Sequence, residues 1–247
     1  TPLEFSSFSS VGPSLDYVIK PEIAAVGEGS YGATQNDLPG QFEFDSSTHT
    51  SFDLSGFRFS SGTSFSSPRI AGVAALVRQA NPSWKPEDVK SAIVTSAERL
   101  PGLASLSPME RGGGHVNTAG AMGLPLIVKP ATLSWENVLI DNVTEVVKNL
   151  LLKNVSQQLQ TVSLSSELFG NERVQAVEVF PEQVELAPAE SIEISLKMRL
   201  SPPDRLGDAE DISSDVVIEI TGQPELLRVP VWARIIHTPS VQGSILL

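Results

Sequence analysis

Ser61-Gly62-Thr63-Ser64-Phe65-Ser66-Ser67-Pro68-Arg69-Ile70-Ala71-Gly72 is a Gly-Thr-Ser turn that runs straight into an apolar helix. Gly62 permits dihedrals closed to other residues and leaves room for another backbone to approach. The Ser64–Pro68 stretch carries helix start signals, so the Ser64 hydroxyl is expected at or near a helix N-terminus. Unpaired N–H groups and the positive end of the helix dipole favour negative charge there, the charge an acyl-transfer transition state develops on oxygen. Two readings stand at this point: Ser64 caps the helix, as many serines do, or it is a nucleophile.

The helix continues from that turn. Ile70, Val73, Ala74 and Val77 recur at helical spacing and predict one buried stripe, with Ala71, Gly72 and Ala75 small enough for close packing. A second helix is predicted from Pro86 to about Ala97, with Pro86 in its first turn, Glu87 and Asp88 favourable to the dipole, and Val89, Ala92, Ile93 and Ala97 inward. Before the serine, Ile23-Ala24-Ala25-Val26 is suited to a short buried strand, and the stretch from Gly27 to Ser60 reads mostly as loop.

The run around Ser64 resembles the nucleophile signature of the subtilase family of serine peptidases: Gly-Thr-Ser, a large apolar residue, two small residues, Pro, a variable residue, then branched apolar, small and Gly. Arg69 stands at the variable position, where His is commoner. Phe8-Ser9-Ser10-Val11-Gly12-Pro13 and Lys20-Pro21-Glu22-Ile23-Ala24-Ala25-Val26-Gly27 are similar to two further family segments, with Glu22 and Val26 in place of the commoner Asp and Pro. Asn81-Pro82 through Ile93, and Gly112-Gly113-Gly114-His115-Val116-Asn117, extend the likeness, which covers roughly residues 5–122. The resemblance implies that Ser64 is the catalytic serine and that Gly62 and Thr63 form the substrate-facing turn before it. It also implies a polypeptide substrate and a secreted or cell-surface location.

In that family the triad runs Asp, His, Ser along the chain, with an oxyanion Asn between His and Ser. No Asp-Ser-Gly or His-Gly-Thr-His run occurs in the 247 residues. A serine hydroxyl is a weak nucleophile without a base and a group orienting that base. His49 lies in a polar stretch, His115 in the Gly-rich turn and His237 at the end of a strand-like run; none has catalytic spacing, and His49 alone is near Ser64 in sequence. The expectation is therefore the C-terminal portion of a subtilase, with an internal start at Thr1 and with Asp, His and Asn upstream. The isolated chain is then inactive, and the missing N-terminal part of the peptidase domain is its partner. The alternative is a non-catalytic subtilase remnant that binds a protein or a surface.

From about Leu126 the pattern changes to short alternating or β-branched runs: 131–136, 145–153, 160–164, 174–180, 191–200, 215–221 and 226–236. They are separated by turns such as Phe180-Pro181-Glu182, and about seven strands over some hundred residues predict a β-sandwich. The segment resembles the fibronectin-type or Ig-like domain that follows the catalytic domain in many large subtilases. The fold class expected is α/β, a partial subtilisin-like parallel-sheet domain at 1–125, followed by an all-β sandwich at 126–238 and a tail at 239–247.

Composition narrows the partners. The net charge is −12, from 17 basic and 29 acidic residues. The first 125 residues hold 8 basic and 12 acidic side chains, the rest 9 and 17. Neither half offers the clustered cations that nucleic acid or an anionic membrane demands. No apolar run is long enough to span a bilayer, and zero cysteines exclude disulfides and zinc-thiolate sites. No cofactor is expected; calcium is conceivable in the parent protein but not assignable here. The acidic loop Pro203–Asp211 lacks calcium-loop spacing and reads as a solvated turn. Asn142-Val143-Thr144 and Asn154-Val155-Ser156 fit the N-glycosylation pattern, which matters only in a eukaryotic secretory pathway.

Overall fold

The serine turn opens a single long helix, α1 (Thr63–Ala80), in a computed structural model that describes residues 4–33, 57–102, 105–169 and 172–239. Of its apolar stripe, Val73 and Val77 are buried and Ile70 and Ala74 half-buried. Ala71, Gly72 and Ala75 are exposed, as is Leu76 at 45%. The helix therefore packs on one narrow seam and leaves a wide apolar face uncovered. Helix α2 (Pro86–Thr95) is the opposite case, with Val89 and every residue from Ser91 to Thr95 buried. Its start matches expectation: Pro86 occupies the first turn, and the Asp88 carboxylate accepts from the Lys85 N–H at 2.8 Å, closing a capping box. Two short helices follow, α3 (Pro108–Arg111) and α4 (Thr118–Met122).

One expectation for the first sixty residues needs correcting. Ile23–Val26 forms no strand; Ala24 makes one parallel bridge to His115, held by Ala24 N–H to Gly114 O and Val116 N–H to Ala24 O. Its partner is a glycine-rich turn, too short to extend a ladder. That bridge is the whole of the expected parallel sheet among the described residues before Leu126. Within the Gly27–Ser60 stretch, β1 (Ser30–Ala33) pairs antiparallel with β2 (Phe57–Ser60), and Tyr31 stacks on Phe57 and lies tilted against Phe59 across the pair, while residues 34–56 lie outside the described residues. His49 and residues 240–247 of the tail lie outside the described residues.

From Leu126 to His237 the described residues form nine strands in two sheets. The four-stranded sheet has the order β3 (Leu126–Lys129), β5 (Thr144–Asn154), β9 (Ser191–Leu200), β7 (Val174–Phe180). The five-stranded sheet runs β4 (Leu133–Ile140), β11 (Leu226–His237), β10 (Ala209–Ile220), β6 (Gln160–Leu168), β8 (Gln183–Leu186). All pairings are antiparallel except β4 with β11. The alternation in β9 does what its pattern implies: Ile194, Leu196, Met198 and Leu200 point inward to meet Val216, Ile218, Val229 and Val231 of the other sheet in one apolar core.

That core does not stop at the sheets. Val73, Val77, Val89, Ala92 and Ile93 of the helices belong to the same cluster as the sheet interior. Strand β3 is the joint: Leu126, Ile127 and Val128 are at most 1% exposed because β5 lies beside them and α2 covers them, with the Val128 N–H donating to Ser91 Oγ at 2.9 Å. On the outer face of the five-stranded sheet, Trp232 is sealed by Ile19 and Met109, and the Ile19 N–H donates to Ser134 Oγ at 3.2 Å.

Candidate functional site

Gly62, not Ser64, occupies the N-cap of α1, and its φ of 149° is a conformation that favours glycine. Ser64 is thus the second helical residue, exposed, with its backbone N–H among those that have no partner within the helix. A Cβ built on Gly62 would meet only Ser64 N, at 3.9 Å, so the space in front of the serine turn is open. Pro68, inside the helix, has no N–H to return to the Ser64 carbonyl four residues earlier. The first turn of α1 therefore presents free donors around an exposed hydroxyl, the electrostatics an oxyanion needs.

The turn is held from behind by residues 27–30. Gly62 N–H donates to Gly27 O at 2.8 Å, Gly29 N–H to Ser61 Oγ at 3.0 Å, and Arg69 Nη2 to Ser30 Oγ at 3.1 Å. Gly27 is buried so tightly here that a Cβ would stand 2.2 Å from Ser66 Oγ and 2.8 Å from Gly62 O. Arg69, the departure from the family pattern, acts as a tie between α1 and β1. Gly27 and Arg69 gain their meaning only from this contact; the motif around Gly27 was visible, but nothing in it pointed to Ser66.

No hydrogen bond among the described residues joins Ser64 to a histidine or a carboxylate. His115 is fixed by backbone bridges to Ala24 and Glu98 in the glycine-rich turn. His237 closes β11, its N–H donating to Asp208 O. Thr63, the other residue expected to face substrate, is the first residue of α1 and is exposed. Three of the four carboxylates of the acidic loop are taken by arginines: Asp204 and Glu210 by Arg173, at 2.9 and 3.1 Å, and Asp211 by Arg234 at 2.7 Å. Arg173 and Arg234 are held above their ordinary pKa by those hydrogen bonds. Groups of three or more potential metal-ligating side chains are absent among the described residues.

Beside the serine helix lies an apolar groove of about 490 Å³ between α1 and α2, walled by Ile23, Ile70, Ala74, Ala75, Val89 and Ile93. Glu22 stands at its rim, between Lys20 at 2.8 Å and Lys90 at 2.5 Å. Burial pushes the Glu22 carboxyl up, but hydrogen bonds from the two ammonium groups outweigh it and hold the carboxyl below its ordinary value.

A second cluster had no sequence signal at all. Arg99, Arg111 and Asp215 meet at the outer face of the five-stranded sheet, with Arg111 and Asp215 fully buried. Arg99 pairs directly with Asp215, and Arg111 Nη2 stands 3.6 Å from the same carboxylate oxygen. The Phe169 ring lies 5.3 Å from each guanidinium carbon. Burial pushes both guanidiniums below their ordinary pKa, the charge of Arg99 adds to this for Arg111, and the nearby Glu167 carboxylate opposes it for both. Arg99 follows α2 in a connecting segment, Arg111 ends α3 and Asp215 lies in β10, so no spacing along the chain could have connected them.

Comparison with known proteins finds relatives of the serine-bearing part. The model of the subtilase family of peptidases matches residues 3–123. The subtilisin-like protease SBT1.9 of Arabidopsis thaliana is 35% identical over 138 residues, covering 55% of this chain and 17% of the relative. SBT2.4 of the same plant is 38% identical over 148 residues, covering 51% of this chain and 17% of the relative. The chain thus spans less than a fifth of the length of these relatives. Among solved structures, the ASH/PapD-like domain of human CEP192 covers 47% of this chain and 87% of its own at 15% identity, with a TM-score of 0.34, a level at which no common fold is claimed.

Proposed function

Taking residues 3–123 as a subtilase-type serine peptidase region, we propose that the chain is the nucleophile-bearing C-terminal portion of a subtilisin-like endopeptidase. The observation that carries this reading is the exposed Ser64 hydroxyl at the second position of α1, behind an open Gly62 and beside N–H groups with no helical partner. Ser64 Oγ attacks the scissile carbonyl while a histidine outside residues 1–247 takes its proton, and an aspartate, also outside, orients that histidine. The oxyanion accepts from the Ser64 N–H and from an asparagine of the same absent portion. Collapse breaks the C–N bond, the histidine returns the proton to the leaving amine, and water then hydrolyses the acyl-Ser64 ester. Gly62 and Thr63 line the path of the substrate backbone.

The remainder of the peptidase domain is the partner that covers the exposed apolar face of α1 and the groove beside it. Residues 126–238 form a fibronectin-type or Ig-like unit behind the 1–125 peptidase portion, in a secreted or cell-surface protein. A fluorophosphonate probe tests the site directly. The chain alone is expected to leave Ser64 unlabelled, and the chain joined to a subtilase N-terminal portion that bears Asp, His and Asn is expected to label at Ser64. Labelling of the lone chain would reveal a base within it. A joined protein that stays unlabelled would sink the peptidase reading and leave a non-catalytic binding module.

A further inference from the structure

The two N-glycosylation patterns occupy opposite environments. Asn142 lies in the three-residue connection between β4 and β5, exposed, next to Val143, which is 44% exposed. Its side chain enters no hydrogen bond among the described residues; only its backbone carbonyl is engaged, by Thr144 Oγ at 2.9 Å. Asn154 ends β5 with 0% exposure. Both hydrogens of its Nδ2 are used, one donated to Gln158 O at 2.7 Å and one to Leu186 O at 2.9 Å. Its Oδ1 accepts from the Ser156 N–H and hydroxyl, at 2.9 and 2.8 Å. The Asn154 amide is thus a structural clamp that ties the 155–158 turn to the end of β8.

We propose that Asn142 is an N-glycan attachment site and that Asn154, despite its matching pattern, is not. In the transfer, Asn142 Nδ2 forms a bond to the anomeric carbon of an oligosaccharide carried on a lipid pyrophosphate. The bond from that carbon to the pyrophosphate oxygen breaks, the lipid pyrophosphate leaves, and the amide gives up one proton. At Asn142 the sugar extends into solvent. At Asn154 the same bond would replace a hydrogen that a buried carbonyl needs and place a sugar inside a close-packed turn. A chain modified there before folding could not complete the sandwich. The position also suits the peptidase reading: Ser134, where the Ile19 segment docks, and Ile140, just before the glycan turn, stand at opposite ends of β4, about 20 Å apart along an extended strand.

The proposal rests on entry into a secretory pathway, which belongs to the functional reading, so the test supplies that entry by a heterologous signal sequence and uses no activity readout. The full chain is expressed in a eukaryotic secreting cell, and its trypsin-resistant fraction is treated with peptide N-glycosidase in heavy-oxygen water, which leaves a labelled Asp wherever a glycan stood. Label is expected at Asn142 and not at Asn154. Thr144→Ala should abolish the glycan. Ser156→Ala, which destroys the second pattern but keeps the Asn154 amide and its two donated bonds, should leave the glycan count unchanged. Label at Asn154 in the folded fraction, or an unlabelled Asn142, would overturn the proposal.

Discussion

Gly27 is the residue on which the placement of Ser64 depends most directly. Its Cβ position lies 2.2 Å from Ser66 Oγ and 2.8 Å from Gly62 O, and only the first of these can move aside by rotation. Gly27→Ala should therefore destabilise the chain by about 1–3 kcal/mol, as small-to-large changes in packed sites do. Adding Ser66→Ala should recover part of that loss, since the backbone collision with Gly62 remains; urea unfolding of the single and double variants measures the recovery. Asp215 makes a sharper prediction. It faces two guanidiniums that are themselves out of water, so Asp215→Asn leaves two buried cations uncompensated and should lower stability by about 3–5 kcal/mol. Arg99→Met and Arg111→Met should each cost less in the Asp215→Asn background than in the native chain, and equal costs in the two backgrounds would show that the three groups are not coupled.

At the scale of elements, Glu22 links the 20–24 segment to α2 through Lys90, with its carboxyl held below its ordinary value. A carboxyl depressed in the folded state contributes stability that is present above its unfolded value, near 4.5, and is lost as pH falls through the lower folded value. Glu22→Gln should therefore lower stability by about 1 kcal/mol at neutral pH and flatten the acid limb below pH about 4.5. Unchanged steepness in paired urea titrations over the range from about one unit above to about one unit below the ordinary carboxylate value would refute the linkage. The helices and long strands were legible because each carries a one-sided apolar pattern: Val89, Ala92 and Ile93 of α2, or Ile194, Leu196 and Met198 of β9, point one way whatever they meet. The elements that were not legible lack such a pattern. Strand β8 spans four residues with only Leu186 buried, and β1 and β2 are short and cohere through Tyr31, Phe57 and Phe59 rather than through a buried face. The serine position could be read from a local motif, whereas the ties that hold it, Gly27 against Ser66 and Arg69 on Ser30, are contacts between distant residues.

For the molecule as a whole, the division at residue 125 that the change of pattern suggests is crossed by one apolar core and by two further contacts on the outer face of the five-stranded sheet. Leu126, Ile127 and Val128 lie under α2, Trp232 lies under Ile19 and Met109, and Asp215 lies under Arg99 and Arg111. Burying each large apolar side chain of this set contributes about 1.5–3 kcal/mol, so the helical part and the sheets lend each other an amount comparable to the net stability of a domain. The chain should then unfold in one cooperative transition. The tryptophans report on both sides of the division, Trp84 beside the helices and Trp135 and Trp232 in the sheets, and with single-tryptophan variants the fluorescence midpoints should coincide with that of far-ultraviolet circular dichroism. The same argument fixes the behaviour of residues 126–239 expressed alone: with Trp232 and the α2-facing side of β3 uncovered, the fragment should unfold at lower urea than the same sheets in the full chain and should self-associate through the exposed patch. Substituting Trp232 by Ser in the fragment should reduce that association while costing it less stability than the same change costs the full chain. A fragment as stable and as monomeric as the full chain would mean that the sheets complete their core unaided and that the helical part merely rests on them.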